Sequence, residues 1–236
     1  HPSGLTLPAI ILEADGADEW CELQCCDDPF ALPAVEIGKR VAAAGVVGLG
    51  GAAFPSAVKL TGALRAEVST LVMNGGECEP YLSCDDRLMR DAAADIVDGI
   101  RIMLHATGAQ VALVGIEDNK PEAIAAMRAA VDAQKEPFSV VAVPTLYPAG
   151  GAKQLIRVLT GKEVPGSMRS TADMGVQVFN VGTAYSAWRA VAHGEPLISR
   201  ILTITGNVHA PRNYEVLIGT PMGELLALAQ PHPDTD

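Results

Sequence analysis

Between Gly45 and Lys59 the chain reads Gly-Val-Val-Gly-Leu-Gly-Gly-Ala-Ala-Phe-Pro-Ser-Ala-Val-Lys, with four glycines in seven residues at Gly45, Gly48, Gly50 and Gly51. Backbone this rich in glycine lacks Cβ atoms and tolerates φ > 0, so it can run close against a ligand. The apolar spacing of Ala57, Val58, Leu60 and Leu64 predicts a short helix over 56–64 immediately afterwards. The positive end of that helix dipole is expected to face whatever the loop cradles, which suits a phosphate or another anion. The glycines do not follow the G-x-G-x-x-G dinucleotide fingerprint, and no strand with an acidic residue about twenty positions on completes one. On this stretch alone, a tight loop with no ligand is the competing reading.

The rest of the chain narrows the choice. Its 236 residues allow one large domain, or a main domain with a small second one. Hydrophobic residues make up 49% and charged residues 19%, which supports a sizeable core and argues against disorder. Aromatic residues are only 4%, so that core is aliphatic. A net charge of −11 argues against non-specific nucleic-acid binding, which needs a basic surface. No apolar run approaches the roughly 18 residues that span a bilayer, so no direct membrane insertion is expected. The opening His-Pro-Ser-Gly lacks the basic and apolar regions of a signal peptide, and the missing initiator Met leads us to expect a processed or excised fragment. Cys21, Cys25, Cys26, Cys78 and Cys84 are odd in number and irregularly spaced, which fits a reducing compartment. They form no C-x-x-C, so they offer no iron–sulfur ligand run and no metal site is expected.

Strand and helix patterns alternate along the chain. Strands are expected over 7–14, 69–73, 110–116, 139–143 and 176–181, and helices over 35–44, 86–107, 121–134, 152–160 and 183–193. Gly108 reads as the C-cap of the helix before it, and Pro121 as the first residue of the next. The segments 20–33 and 164–171, the latter containing Arg169, read as loops. This order predicts an α/β fold with a parallel sheet. From Arg200 the texture changes to strand, turn, strand and short helix over 201–206, 209–212, 214–218 and 221–229, which reads as the start of a small β-grasp-like unit.

Three further features carry chemistry. Asn74-Gly-Gly-Glu-Cys-Glu-Pro80 follows a strand, where α/β sheets bind ligands. Glu77 and Glu79, two apart in this loop, are expected to point to opposite sides, so one carboxylate can face a ligand while the other fixes the loop. Asn74 both accepts and donates, which suits the edge of a flavin or a base. Pro148–Gly151 is a second glycine turn that opens a helix, and Lys59 and Lys153 each sit near the start of a helix after a glycine turn. A cation there is unfavourable unless it serves an anion. Asp85 and Asp86 suit the first turn of a helix better than a metal site. Cys78 lacks a partner histidine and reads as a small packed group, and the five histidines are scattered without ligand spacing. Together these features imply a bound phosphate-bearing cofactor and no nucleophilic catalysis.

The two long motifs, Gly45 to Lys59 and Asn74-Gly-Gly-Glu-Cys-Glu-Pro-Tyr-Leu-Ser-Cys-Asp-Asp-Arg-Leu-Met89, closely resemble the C subunits of Rnf electron-transport complexes. They are more distantly similar to the NADH-binding flavin subunit of respiratory complex I. Tyr147 to Leu155, Val178 to Thr183 and Ile204 to Gly206 also fit, so the resemblance covers nearly the whole chain. It implies a Rossmann-like α/β domain holding FMN non-covalently over 35–198. An N-terminal linker, the exit of a barrel-sandwich segment, is expected over 1–34, an incomplete β-grasp (SLBB-type) unit over 199–229 and a tail over 230–236.

The resemblance also implies roles. Gly48, Gly50, Gly51 and Lys59 surround the FMN phosphate side, with Asn180 and Thr183 near the phosphate or ribityl chain. Asn74, Gly76, Glu77 and Glu79 line the isoalloxazine and nicotinamide region. Phe54 stacks on nicotinamide or adenine, and Gly150, Gly151 and Lys153 form a second pocket loop for NADH. The flavin accepts hydride from NADH and passes electrons to [4Fe–4S] clusters expected beyond this chain, with other Rnf subunits and, indirectly, ferredoxin as partners, coupled to Na⁺ or H⁺ movement. The implied location is peripheral, on the cytoplasmic side of the inner membrane, with this fragment soluble. Gly76 stands where the complex I pattern has an Asp, and the pair of glutamates that the pattern has near Gly150 is missing. The missing glutamates bear on dinucleotide recognition, and Gly76 in place of that Asp keeps a flavin-free scaffold open as an alternative; a flavin-dependent cobalamin-reductase relative, which shares the flavin core, is the other.

Overall fold

The computed structural model of the chain describes residues 13, 15–135, 137–168 and 170–233. The strand expected over 7–14 falls, apart from Glu13, outside the described residues, as does Arg169. Four strands form a parallel sheet in the order β3-β2-β1-β4. They are β1 (Thr70–Gly75), β2 (Val111–Glu117), β3 (Phe138–Val143) and β4 (Val176–Asn180). The α/β fold with a parallel sheet is thus the one the sequence implies. β1 and β4 are buried along almost their whole length, as strands covered on both faces must be.

The two-residue alternation of strand side chains divides these strands between two cores. Leu71 and Met73 of β1, Ala112, Val114 and Ile116 of β2, and Phe179 of β4 enter the larger core. Val72, Val143, Val176 and Val178 point the other way into the smaller one. Helices α1 (Ala34–Ala43), α2 (Ser56–Arg65), α3 (Cys84–Asp91), α4 (Ala93–Thr107), α5 (Pro121–Gln134) and α7 (Val181–Ala192) fill the first face. Helix α6 (Ala152–Thr160) covers the second with Leu155 and Ile156, joined by Val164, Met168 and Met174.

The local signals explain most boundaries. Pro121 opens α5, where its missing N–H removes nothing. Gly108 ends α4 in the left-handed conformation, at φ +71°, and its N–H bonds back to the Leu104 carbonyl. Two expectations change. The single helix expected over 86–107 is two, because Ala92 leaves helical geometry at φ −131° and ψ 33° and the axis turns there. The helix expected from Thr183 starts at Val181, because the Asn180 side chain accepts the N–H of Gly182 and caps it.

Beyond Arg200 the chain forms an antiparallel hairpin, β5 (Ser199–Ile204) with β6 (Arg212–Leu217), and then α8 (Met222–Ala229). The hairpin is tied to the start of α3. The Ser83 N–H donates to Thr203 Oγ1 at 3.1 Å, and Asn213 Nδ2 donates to the Ser83 carbonyl at 3.0 Å. Among the described residues no helix is long and apolar enough to cross a membrane.

The tightest approach in the larger core lies between α4 and α7. A Cβ added to Gly99 would stand 2.0 Å from the Ala184 carbonyl oxygen, so the two helix backbones meet where only glycine fits. Gly99→Ala forces them apart, and we expect it to destabilise the chain by about 3 kcal/mol, at the upper end for overpacking. Gly62 lies mid-helix in α2 with open space where its Cβ would be. Gly62→Ala should therefore hold or raise stability, by up to about 1 kcal/mol. Urea unfolding of the two variants checks both signs.

Candidate functional site

In parallel sheets, ligands sit beyond the carboxyl ends of the strands, where the strand order reverses. Here the chain steps outward from β1 to β2 and β3, then returns to β4 on the other side of β1. The reversal therefore lies between β1 and β4, whose ends carry Asn74 and Asn180 side by side in register. A cavity of about 710 Å³ opens there. Gly48, Gly50, Gly51, Phe54, Lys59, Asn74, Gly76, Glu77, Glu79, Gly150, Gly151, Asn180 and Thr183 all line it. Lys153 does not: its side chain is exposed and donates to the Pro165 carbonyl at 3.4 Å.

The glycine loop is a pinched hairpin. Val47 bridges Pro55, and the Gly48 N–H donates to the Phe54 carbonyl at 2.9 Å. Its tip is fastened to α7 by the Leu49 N–H, which donates to Thr183 Oγ1 at 3.0 Å, and Arg200 reaches the Leu49 carbonyl from β5 at 3.5 Å. Gly51 turns the tip at φ +114°, a conformation open to glycine. Gly50 lies against Asn180, whose Cβ would be 3.3 Å from a Cβ at Gly50. Helix α2 does not present its N-terminus to the cavity as expected. Of its first turn only Lys59 reaches the lining, while Asn180 and Thr183 bring the first turn of α7 to it.

Lys59 is a half-buried cation of this wall. Its ammonium donates to the Val178 carbonyl and lies 4.6 Å from the centre of the Phe179 ring. Withdrawal from water lowers its pKa to about 8. A cation held this way has a carbonyl and an aromatic face but, among the described residues, no carboxylate within ion-pair distance. An anion in the cavity would relieve its desolvation.

The second and third loops meet at glycines. Asn74 donates from Nδ2 to the Gly150 carbonyl at 2.8 Å and accepts the Gly76 N–H on Oδ1 at 3.0 Å. A Cβ at Gly76 would lie 3.2 Å from Gly150 Cα, and one at Gly150 would lie 2.9 Å from the Gly76 carbonyl oxygen. No larger residue fits either place without moving the other loop.

The two glutamates of the motif do separate, Glu77 inward and Glu79 outward, but because the chain leaves extended geometry after β1: an extended loop would have put residues two apart on the same side. Glu77 accepts the N–H groups of Asp85 at 2.8 Å and Asp86 at 2.9 Å, and the Cys84 thiol at 3.2 Å. It thereby caps α3, with Lys120 3.7 Å away. Burial, with Asp85 and Glu77 alongside, pushes the Cys84 thiol up to about 12, which keeps it a donor.

Sequence reasoning missed two charged residues of the wall, Asp85 and Arg200. Asp85 looked like an ordinary first-turn acid, and Arg200 comes from a strand far along the chain with no motif around it. Asp85 Oδ2 accepts a 2.6 Å hydrogen bond from Asn180 Nδ2. Burial and the Glu77 charge push Asp85 up to about 6, against the opposing pull of Asn180 and Arg200.

Raised above its ordinary value, Asp85 makes the folded chain bind more protons than the unfolded one between about pH 4 and 6, so stability falls as pH rises through that window. Above it, the ionised carboxylate costs about 3 kcal/mol. Asp85→Asn keeps an acceptor for Asn180 and removes the charge. We expect it to raise the melting temperature by roughly 6–12 °C at pH 8, with the difference closing by pH 4. Thermal unfolding at the two pH values checks this.

Comparison with known proteins places this geometry. Residues 41–189 match the model of the Nuo51 FMN-binding domain. The C subunit of the ion-translocating oxidoreductase complex of Pseudomonas aeruginosa is 49% identical over 230 residues, which cover 97% of this chain and 29% of that protein. Its Rhodobacter capsulatus counterpart is 48% identical over 228 residues, 96% of this chain and 44% of that protein. The chain thus spans less than half the length of these relatives. Among solved structures, an NAD⁺-reducing [NiFe]-hydrogenase in its H₂-reduced state superposes with a TM-score of 0.70 at 22% identity, covering 86% of this chain and 40% of that one. At that identity the likeness is one of fold. By its family match and by its near-50% identity to these relatives over almost its whole length, the chain belongs to the Nuo51 FMN-binding domain family, within the C subunits of Rnf-type ion-translocating oxidoreductase complexes.

Proposed function

We propose that the chain is the flavin- and nicotinamide-binding core of an Rnf-type C subunit, holding FMN non-covalently and accepting hydride from NADH. The observation that carries this reading is Lys59, a desolvated ammonium that meets no carboxylate among the described residues, in the wall of a glycine-lined cavity at the strand reversal. The residues present fit the cofactor. Glycines at 50, 76 and 150 keep the walls free of side chains where Cβ atoms would crowd Asn180 or the opposite loop.

In this assignment Lys59, with Gly48, Gly50 and Gly51, receives the phosphate end, and Asn180 and Thr183 flank the phosphate or ribityl chain. Asn74, Gly76 and Glu77 border the flavin ring. Glu77 acts there as the cap that fixes its loop. Phe54, which is 50% exposed at the cavity mouth, offers an apolar face to the dinucleotide, with Glu79, Gly150 and Gly151 around it. Lys153 has no place in the assignment, because it faces solvent away from the cavity. Bound FMN supplies the hydride-accepting and one-electron chemistry, and the chain supplies position, charge and exclusion of water.

Gly76, the departure that favoured a scaffold without flavin, has a packing reason: it is the residue that lets the Gly150 loop approach. In the longer relatives, electrons would pass on to iron–sulfur clusters outside this chain and to ferredoxin through further subunits, with ion translocation. A peripheral position on the cytoplasmic side of the membrane fits the absence, among the described residues, of a membrane-spanning helix.

FMN added to the purified chain should bind, with quenched flavin fluorescence, and NADH should bleach it faster than NADPH. No change in absorbance or fluorescence at saturating FMN would sink the proposal. Lys59→Ala removes a charge-assisted contact and should weaken FMN binding by roughly tenfold to a hundredfold. Since phosphate favours the charged lysine, wild-type affinity should fall as pH rises above about 8, and the variant should lose that dependence.

A further inference from the structure

We propose that Asp85 is the proton-holding group of the flavin cavity, which takes up a proton from water when bound flavin is reduced and thereby sets the pH dependence of its reduction potential. The inference rests on the FMN reading above and concerns a residue to which neither the motifs nor the comparisons assign a role.

Its basis is geometric. Asp85 hangs in the cavity wall from Asn180, which packs against Gly50 of the first loop and also donates weakly to the Asn74 carbonyl at 3.4 Å. The carboxylate is therefore fixed where the three walls converge. Its neighbour Glu77 is saturated by two backbone N–H groups and a thiol, so that charge is committed to the helix cap. The Asp85 carboxylate, by contrast, is held among the described residues by a neutral amide alone, on one of its two oxygens.

The charged groups around it come from every neighbouring element. Glu77 lies on the loop after β1 with Lys120 3.7 Å from it, Arg200 on β5 and Lys59 on α2, while Asp86 and the neutral Cys84 thiol flank Asp85 on α3. Asn180 of β4 is neutral. Burial and the Glu77 charge oppose ionisation of the carboxyl while Asn180 and Arg200 favour it, which leaves Asp85 able to change state at about 6.

The balance of the step is simple. Hydride transfer would bring two electrons and one proton to bound FMN and turn the neutral dihydronicotinamide ring into a cation, so once the oxidised nicotinamide departs the cavity would hold one negative charge more. Asp85, ionised beforehand, faces that new charge and binds one proton from solvent, which returns the cavity to its former net charge. No further oxidant or reductant is needed. Two like charges in a shared, poorly hydrated cavity disfavour each other by enough to move the proton equilibrium of the carboxyl upward on reduction.

The test compares wild type, Asp85→Asn and Asp85→Ala, each loaded with FMN. Binding of oxidised FMN is measured first by fluorescence quenching; failure of wild type to bind refutes the function proposed above and not the role of Asp85. With binding established, the midpoint potential is titrated from pH 5 to pH 9. Wild type should show an inflection near neutral pH that Asp85→Asn lacks. At pH 8 the Asn variant should favour reduced over oxidised FMN about tenfold more than wild type does, the two converging at pH 5. Asp85→Ala should share the lost inflection and also bind oxidised FMN more weakly, since Asn180 loses its acceptor. Parallel potential curves for wild type and Asp85→Asn would overturn the proposal. Equal loss of FMN binding in both variants would reduce Asp85 to a structural support and overturn it too.

Discussion

One side-chain amide holds the working end of this sheet together. Asn180 Oδ1 accepts the Gly182 N–H in the first turn of α7, while Nδ2 donates to Asp85 and, more weakly, to the Asn74 carbonyl. A carboxamide carries an acceptor and two donors on one rigid plane, so it can bind a helix start, a neighbouring strand and a third loop at once. A hydroxyl or a carboxylate lacks that combination. Because β1 and β4 run in register to their ends, Asn180 meets Asn74 directly, and the second amide extends the same linkage to the Gly150 loop. The cavity is what remains between loops so tied.

The arrangement would also let an anion site coexist with several acids. The chain carries a net charge of −11, and carboxylates cluster within the same wall as Lys59. Glu77 is kept from opposing an anion by its two backbone donors at the start of α3, where the helix dipole favours its charge. The Cys84 thiol stays protonated and adds a third donor. Lys59 and Arg200 then act on the cavity with the Glu77 charge already compensated.

Much of this was legible in the residues. Strand and helix order followed from periodicity, and Gly108 and Pro121 marked helix ends by their backbone chemistry alone. The glycine loops and the Asn-Gly-Gly-Glu-Cys-Glu motif pointed to the end of the sheet where the cavity opens, since loops after parallel strands converge there. What stayed hidden depends on contacts distant in sequence. Ala92 carries no breaking signal, and the helix turns there because α3 must bring its N-terminus to Glu77 while Leu88 and Met89 reach the core. Asp85 was disguised by a helix-start position that any acid favours. Arg200 arrives through the hairpin. Lys153 misled for the opposite reason: its sequence setting matches that of Lys59, but only Lys59 lies on a helix that points it at β4.

The contact between Gly76 and Gly150 has a consequence for how such sites diversify. With about 3 Å separating each position from the other loop's backbone, the two residues cannot vary independently. An aspartate at 76, as the complex I pattern has, requires the opposite loop to withdraw first, and glutamates beyond 150 would accompany a loop already set back. Exchange of either glycine alone would strain this contact unless the facing loop moved with it. Grafting one recognition motif onto the other scaffold would accordingly succeed only when both loops are exchanged as a unit.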